Sequence, residues 1–548
     1  MTVVNKEMLQ KTSTTIAIEE EKIGLLLGRN KSLISAVYGC YCNGLIYVPL
    51  DINWPKERID FVLSDSKIRT VITNKQYVGV LDSVKKIIVD EDDIINFSAP
   101  VNNAGSAYIL YTSGSTGVPK GVEIHKESLI NFIDGISEII DFSSNKRIAC
   151  LTTISFDIFF LESIMALCKD LTIVLANENE QRNPKLMAEL IEKNNVDMIQ
   201  MTPSKMQLLL SRDKELSCLK NVKEIMIGGE PFPLSLLRTL QSKTTAKIYN
   251  MYGPTETTIW STVSELTHKD KIDIGRPIKN TEIYIVDENF CVLPNGQAGE
   301  ICITGKGLAK GYVGRDDLTA EKFVCLPQKP AIRLYRTGDI GRYLSHGNLE
   351  YLGRTDNQVK LRGHRIELEE IESQINQFDG INQSVVIVLE TSETDKILEA
   401  FYTSDVAVDK KSISNYLSSK LPEYMIPVIF KRLESFIQTA NGKIDRKRIL
   451  ECIEIKTEEL STEDFDTIEL SDIQKKAFEI IASNLDMKVS DITLETAFAG
   501  AGVDSITFIK IIVMLECEFE FEFDDEMLLI TKFPTVKSMI EYVASKVQ

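Results

Sequence analysis

Residues 111–121 of the 548-residue chain read YTSGSTGVPKG. Three glycines, four small hydroxyl residues and Lys120 are gathered in one stretch, directly after the apolar run Tyr108–Tyr111. Glycine lets backbone N–H groups close on phosphate oxygens, hydroxyls add donors, and a lysine adds positive charge. The spacing is not the GxxxxGK[ST] of a P-loop. Taken alone the stretch also reads as a flexible surface loop; the preceding strand-like run and the closing Pro-Lys-Gly favour an anion cradle. A second reactive candidate lies near the other end. Ser505 follows Asp504 and precedes an amphipathic stretch, so it sits at a helix start. There it reads either as an exposed serine open to modification or as a plain N-cap.

The elements that must position these residues follow from periodicity. Over the first part of the chain, short β-branched runs (Thr70–Thr73, Leu171–Leu175, Asp197–Met201, Lys223–Ile227) alternate with amphipathic stretches such as Pro184–Asn194. That alternation predicts α/β layers with partly parallel sheets. Strand patterns continue at Glu282–Asp287 and Glu300–Thr304. Beyond Gly353–Asp356 a small α+β region is expected, with strands at Ser384–Leu389 and Ala400–Tyr402 and a helix at Ser412–Ser419, ending near Arg448. The acidic, glycine-free stretch Glu451–Asp472 reads as a linker. The tail is helical: Ile473, Ala477, Ile480 and Ile481 recur at helical spacing, as do Ile509, Ile512 and Val513. No charge occurs from Ser32 to Leu50, close to the roughly 20 residues that span a bilayer. The serines and glycines within it, the Asn43-Gly44 pair and the extended YVPL ending predict instead a buried helix, a turn and a short strand.

Composition narrows the classes. Hydrophobic residues at 43 % and charged residues at 26 % are a globular mix. A net charge of -18 and a pI near 5.0 disfavour nucleic acid as a partner. The ten cysteines have no CxxC pair or zinc spacing, which predicts reduced thiols in a cytoplasmic protein and no metal cluster. No signal peptide is legible, and neither nucleic acid nor membrane is an expected partner.

Further motifs follow YTSGSTGVPKG in order: NMYGPTE at Asn250–Glu256, GEICITGKGLAKGY at Gly299–Tyr312, YRTGD at Tyr335–Asp339, GRTDNQVKLRGHRIELEEIE at Gly353–Glu372 and NGKIDR at Asn441–Arg446. Over roughly residues 20–450 the set resembles the adenylation domains of nonribosomal peptide synthetases, within the adenylate-forming superfamily. The run FAGAGVDSITFIKII, Phe498–Ile512, is similar to the attachment site of peptidyl carrier proteins, although that family more often shows LGGDS. The resemblance implies a large α/β N-terminal domain with layered sheets and helices (1–355), a small mobile α+β C-terminal subdomain (356–450), a linker (451–470) and an all-α four-helix carrier domain (471–548).

It also implies roles and cofactors. ATP would be held by Thr112, Ser113, Gly114, Ser115, Thr116, Gly117 and Lys120, with Thr255 nearby. Tyr252 would offer a flat face to adenine, Asn250 an amide to its edge, Asp339 a carboxylate to the ribose hydroxyls and Arg354 a second contact. Glu256 resembles the carboxylate that holds Mg²⁺, a hard ligand for a hard cation. Lys443 would be the catalytic lysine and Asp356 the hinge between two conformations that serve two half-reactions. Ser505 would carry 4'-phosphopantetheine, added by a phosphopantetheinyl transferase. The family's substrate-pocket positions fall on Asp157, Ile158, Leu161, Gln200, Met226, Gly228, Met251, Ile259, Trp260 and Lys443. Asp157 would pair with a substrate α-ammonium and Lys443 with its carboxylate. The large Leu161, Gln200, Met226, Met251 and Trp260 leave space for little beyond Cα, and the set resembles the lining of glycine-activating domains.

The expected activity is therefore activation of a small amino acid, glycine first, as aminoacyl-AMP with release of pyrophosphate, then thioester formation on the chain's own carrier. The rivals are an acyl- or aryl-CoA-ligase-like enzyme and an inactive docking scaffold. Asp157 and Ser505 argue against the first; the intact set Lys120, Glu256, Asp339 and Lys443 argues against the second. There is no HHxxxDG and no GxSxG, and the histidines are only His125, His268, His346 and His364. Condensation or tailoring is thus expected from downstream enzymes. A LTYxEL-like segment that precedes Ile23–Arg29 in the family is not found, so the large domain is expected to lack a peripheral helix or to need a partner to cover it. The final product, the pathway and the oligomeric state have no sequence signal.

Overall fold

The computed structural model describes the chain apart from residues 1, 12–13, 99–104, 115–116, 214, 362, 391–395, 407, 434, 437–445, 447, 450–470, 483–484, 486–491, 495, 497, 499–502, 504, 520, 522, 525–526, 528–531 and 548. Contacts divide it into two compact units. One comprises residues 1–114 and 118–367; the other comprises 115–117 and 368–548.

The first unit is layered α/β. Its larger sheet runs, in spatial order, Thr2–Val4, Thr172–Leu175, Arg147–Cys150, Met198–Met201, Glu224–Gly228, Lys247–Tyr252, Thr262–Glu265 and Arg276–Pro277. The five strands from Thr172–Leu175 to Lys247–Tyr252 pair in parallel. They read as near-continuous apolar runs because helices cover both faces. A seven-stranded sheet carries Ser106–Thr112 and Lys120–His125 as an antiparallel pair, with Ile46–Pro49 and Lys22–Leu26 beyond them in parallel. A five-stranded sheet holds Gly299–Gly305, Lys329–Tyr343 and Leu349–Arg354. The uncharged stretch from Ser32 is a buried helix, Lys31–Asn43. It is capped by the Asn30 side chain, ends at Gly44 and is followed by the strand Ile46–Pro49. Among the described residues, no helix is long and apolar enough to cross a membrane.

One irregular helix matters for the site. Ile158–Phe160 and Ala166–Cys168 are α-helical, and the intervening Leu161–Met165 is a π turn. Such turns shift the face of a helix and recur at functional sites. Glu162, fully buried within the turn, accepts hydrogen bonds from the Leu151 and Thr152 N–H groups at 2.8 Å each and from Thr152 Oγ1 at 2.6 Å. Beside it, Lys205 Nζ donates to the Leu151 carbonyl at 2.7 Å, and burial pulls this ammonium down to about 8. Arg29 donates to three carbonyls, those of Ala176, Thr152 and Cys150. This buried cluster pins the start of the π helix to the ends of two parallel strands.

The second unit opens with the helix Leu368–Ile375. Its sheet is Gln383–Glu390, Lys396–Thr403 and Ile429–Leu433, with the helix Lys410–Lys420 between the last two strands. Among the described residues the tail forms three helices: Asp472–Ala482, Ser505–Phe519 and Val536–Val547. Phe508, Ile511, Ile512 and Leu515 make the buried stripe of the middle one. They pack with Ala477, Ile481, Val536, Met539, Ile540 and Val543 in a core of their own.

Replacing Glu162 by alanine strands the Leu151 and Thr152 donors inside the protein, at a cost of about 3 kcal/mol. The urea midpoint of the transition that reports on the first unit is expected to fall accordingly. An unchanged midpoint would show that this carboxylate does not hold the turn.

Candidate active site

The phosphate-loop motif connects two antiparallel strands. Thr112 and Lys120 are cross-strand partners, so residues 113–119 join the two strands in sequence. Gly114 is required there: a Cβ at this position would lie 1.9 Å from the Val118 carbonyl oxygen. The Thr112 hydroxyl is buried and has no hydrogen-bond partner among the described residues. An unpaired donor beside a glycine turn is what an incoming phosphate oxygen would satisfy. Ser115 and Thr116 lie outside the described residues, and Gly117 adopts φ +78°.

Lys120 is buried. Its ammonium lies 3.8 Å from Glu256 Oε1, 3.7 Å from Glu367 Oε1 and 5.2 Å from the Tyr312 ring centre. Burial, reinforced by Arg365, pulls it down to about 8, although the two carboxylates oppose that shift. Glu256 sits on the short 3-10 turn Thr255–Thr257 that follows the strand Lys247–Tyr252. It is fully buried. Tyr312 Oη donates to its Oε1 at 2.7 Å, and Arg365 Nη1 to its Oε2 at 2.7 Å. Burial alone would raise this carboxyl; Arg365 and Lys120 outweigh burial and hold it at about 2. Glu256 is therefore a permanently charged, hard oxygen donor. No cluster of three or more metal-ligating side chains occurs among the described residues. A single carboxylate still suits Mg²⁺, which takes its other ligands from phosphates and water.

The nucleoside candidates also come together. Tyr252 Oη donates to Asp339 Oδ2 at 2.6 Å, and Arg354 Nη1 donates to Asp339 Oδ1 at 2.6 Å. Asp339 and Arg354 are cross-strand partners, so the sheet register itself makes this pair. Arg354 also forks onto Asp356, at 2.7 and 2.9 Å. Each oxygen of Asp339 keeps a lone pair for a further donor. Asn250 donates its amide to the Asp273 carbonyl at 2.8 Å.

Substrate-pocket candidates converge through strand register. Gln200 pairs with Met226 across one parallel ladder, and Gly228 pairs with Met251 across the next. Met226 and Gly228 are two apart on one strand, so all four occupy one face of the sheet. Trp260 lies against that face, its indole Nε1 donating to Gln200 Oε1 at 3.3 Å. Gly228 permits this approach, since a Cβ there would lie 2.7 Å from both Trp260 Cη2 and the Met251 carbonyl oxygen. Thr258 and Ile259, immediately before Trp260, both have positive φ, +65° and +69°. For β-branched residues that conformation is strained by roughly 1–3 kcal/mol each. Bonds from Thr258 Oγ1 to the Gly307 carbonyl and from the Ala309 N–H to the Glu256 carbonyl hold the turn in place. Ile158 and Leu161 are buried on the helix that Asp157 begins. Asp157 itself is almost fully buried. Burial, aided by Glu256, pushes its carboxyl up to about 6 against hydrogen bonds from Thr255 and the Ile158 N–H.

Lys443 lies outside the described residues. Three positions beyond it, Arg446 forks onto Glu372 at 2.8 and 2.9 Å and donates to the Val386 carbonyl at 2.7 Å. Ser505 is the first residue of its helix, and its side chain lies outside the described residues. Four charged or polar groups at the centre were not singled out from the sequence: Tyr312, Lys360, Arg365 and Glu367. Each lies inside a quoted motif. The alternating pattern of the hairpin Gln358–Leu361/His364–Glu367 was the available signal, since it puts Arg365 and Glu367 on one face.

The family model described as AMP-binding enzyme matches residues 17–313. The chain belongs to this family. A second model, the phosphopantetheine attachment site, matches residues 476–543, so this AMP-binding enzyme carries a carrier-type domain behind its catalytic part. A dimodular nonribosomal peptide synthase of Bacillus subtilis is 38 % identical over 445 residues, covering 78 % of this chain; the chain spans only 18 % of that relative. A solved nonribosomal peptide synthetase protein with adenylation and PCP domains, bound to a vinylsulfonamide inhibitor, superposes with a TM-score of 0.78 at 23 % identity. That superposition covers 96 % of this chain and 88 % of the other. A four-domain nonribosomal peptide synthetase bound to AMP and glycine is 31 % identical with a TM-score of 0.57, covering 96 % of this chain and 39 % of that one.

Asp157 gives a prediction with a definite sign. Its folded-state value of about 6 lies above the ordinary 3.8. The folded chain therefore holds the proton more tightly, and this group's contribution to stability falls as pH rises through that window and stays low above it. Asp157→Asn is expected to stabilise the fold by about 2–3 kcal/mol at pH 8 and by little at pH 4. Denaturant unfolding at both pH values checks this, and an equal effect at both would contradict it.

Proposed function

We propose that this AMP-binding enzyme activates glycine with ATP and transfers it to the phosphopantetheine thiol of its own carrier domain. In the first half-reaction a glycine carboxylate oxygen attacks the α-phosphorus, the bond to the β-phosphate breaks and pyrophosphate leaves. In the second, the thiol attacks the glycyl carbonyl and AMP leaves. Asp339 and Arg354 would bind the ribose side of ATP, with Tyr252 against the adenine. Thr112, Ser113 and Lys120, together with Ser115 and Thr116, would take the phosphates. Glu256 would hold Mg²⁺, which when bound neutralises the departing pyrophosphate. Lys443 would stabilise the charge at the α-phosphate, and Asp356 would be the hinge between a large region 1–355 and a small region 356–450. A linker 451–470 and a carrier 471–548 complete this division.

The glycine assignment rests on one observation: Trp260, bonded to Gln200, packs on the bare face of Gly228 against Met251. Nothing larger than a hydrogen on residue 228 fits beneath the indole, so the lining is filled from the protein side. Asp157, kept poorly solvated by burial, gains most from an ammonium partner. The likeness to a synthetase bound to AMP and glycine supports the same substrate.

Amino-acid-dependent ATP–pyrophosphate exchange is expected to be highest with glycine, weak with alanine and absent with leucine or phenylalanine. One methyl group is worth only about 1–3 kcal/mol of discrimination. Trp260→Ala should admit alanine and serine. A wild-type preference for any residue larger than alanine would overturn the glycine assignment and leave the reaction class standing.

Ser505 is the proposed attachment point, served by a phosphopantetheinyl transferase and read by downstream condensation or tailoring enzymes. Intact mass after incubation with coenzyme A and such a transferase is expected to rise by one phosphopantetheine group in the wild type and not in Ser505→Ala. An unmodified wild type would overturn the loading step.

A further inference from the structure

Asn250 and Tyr252 lie two apart on the strand Lys247–Tyr252, so they share one face of the sheet, opposite to that of Met251. Asn250 is only 4 % exposed. Its Nδ2 donates to the Asp273 carbonyl at 2.8 Å. A carbonyl can only accept, so the amide nitrogen must face it, and the flipped orientation of the amide is closed. Asn250 Oδ1 is thereby turned away from Asp273. Among the described residues it accepts no hydrogen bond.

The Asp273 peptide is itself tightly held. Its side-chain Oδ1 accepts from Ser264 Oγ at 2.6 Å, from the Gly275 N–H at 2.8 Å and from Asn348 Nδ2 at 3.1 Å. Oδ2 accepts from Lys269 Nζ at 2.9 Å, and the same ammonium donates to Ser264 Oγ at 2.9 Å. Burial would raise this carboxyl; the bonds from Lys269, Ser264 and Asn348 outweigh burial and hold it below the usual carboxylate range. Ser264 is the cross-strand partner of Asn250, so the ladder that carries the amide also anchors the peptide that orients it. Thr262, the partner of Tyr252, donates to the next carbonyl, that of Ile274. Gly275 closes the turn at φ +75°, where a Cβ would lie 1.8 Å from the Val263 carbonyl oxygen.

A fixed amide distinguishes purines. A 6-amino purine brings a donor to a free amide oxygen, whereas a 6-oxo purine brings a second acceptor. Two acceptors meeting in a buried place leave both unpaired.

We propose that Asp273 is a positioning residue for nucleobase selection. Its carboxylate locks the peptide that orients the Asn250 amide, so that Oδ1 accepts from the 6-amino group of adenine and 6-oxo purine nucleotides are turned away. This rests on the reading of Asn250 and Tyr252 as the adenine contacts. Asp273 itself touches no part of the nucleotide.

The test uses the full chain and calorimetric binding of two probes without amino acid, magnesium ATP and magnesium inosine triphosphate. Wild type is expected to bind ATP about 10- to 100-fold more tightly, the loss that one buried unpaired acceptor brings. Asp273→Ala frees the amide to turn an N–H toward a 6-oxo group, so the two affinities should come within about threefold of each other. Asp273→Asn keeps an oxygen for Ser264 and Gly275 and should stay near the wild-type ratio. Ser264→Ala should lower the ratio as well, and it serves where Asp273→Ala fails to fold. A merely structural role would weaken both nucleotides alike. A ratio that the Asp273→Ala or Ser264→Ala change leaves at its wild-type value therefore overturns the proposal. Equal binding of both nucleotides by wild type overturns it too. Failure of wild type to bind either nucleotide overturns instead the reading of the adenine contacts, and the proposal falls with it.

Discussion

The buried charge of Glu256 constrains most of what surrounds it. A carboxylate with no solvent exposure survives in the interior only if cations and donors face it. Here Tyr312, Arg365 and Lys120 do so, from three separate stretches of chain. The requirement ties the turn after Lys247–Tyr252 to the strand Gly311–Tyr312 of the seven-stranded sheet, the phosphate loop and the hairpin. Lys120 is in turn left with a lowered affinity for its proton. An ammonium in that state gains more from a new anion than a solvated lysine would, so the need for partners and the capacity to take up phosphate have one origin.

Strand register does comparable work beside it. Parallel ladders put Gln200 next to Met226 and Gly228 next to Met251, and the antiparallel ladder puts Asp339 opposite Arg354. A slip of one residue would turn each of these groups to the opposite face. The strained turn at Thr258 and Ile259 then swings Trp260 onto the face those ladders prepare. Strain of this kind persists only where neighbours over-determine it, and the bonds at Thr258 and Ala309 supply that restraint. On the other flank, the π turn at Leu161–Met165 and its buried Glu162 set where the helix begun by Asp157 points.

Much of the architecture was legible in the sequence. Strands expected at Thr70–Thr73, Leu171–Leu175, Lys223–Ile227, Glu282–Asp287 and Ser384–Leu389 are present within a few residues, as is the helix expected from Pro184. Their apolar periods are local and survive any packing. The uncharged stretch from Ser32 resolved into helix, turn and strand because Asn43-Gly44 carries its own backbone preference. In the tail, of the stripe expected at Ile509, Ile512 and Val513, Ile512 is buried together with Phe508, Ile511 and Leu515, while the side chains of Ile509 and Val513 lie outside the described residues.

The residue types of the site were also written in the motifs: a glycine-hydroxyl-lysine loop, the carboxylates Glu256, Asp339 and Asp157, and a set of bulky side chains around Trp260. Which of these face one another was not. Asp157 and Thr255, or Gln200 and Trp260, are far apart in sequence, and only sheet order and register bring them together. The unequal proton affinities of Asp157, Lys120 and Glu256 depend on burial and on charges contributed from other strands, which no local pattern encodes. Arg365 and Glu367 show the limit most plainly. In the sequence they are two charges inside the motif Gly353–Glu372, set on one face by its alternation but with no partner indicated. Only the fold lays that face over Glu256 and Lys120, because buried opposite charges stabilise whichever long-range pairing brings them into contact.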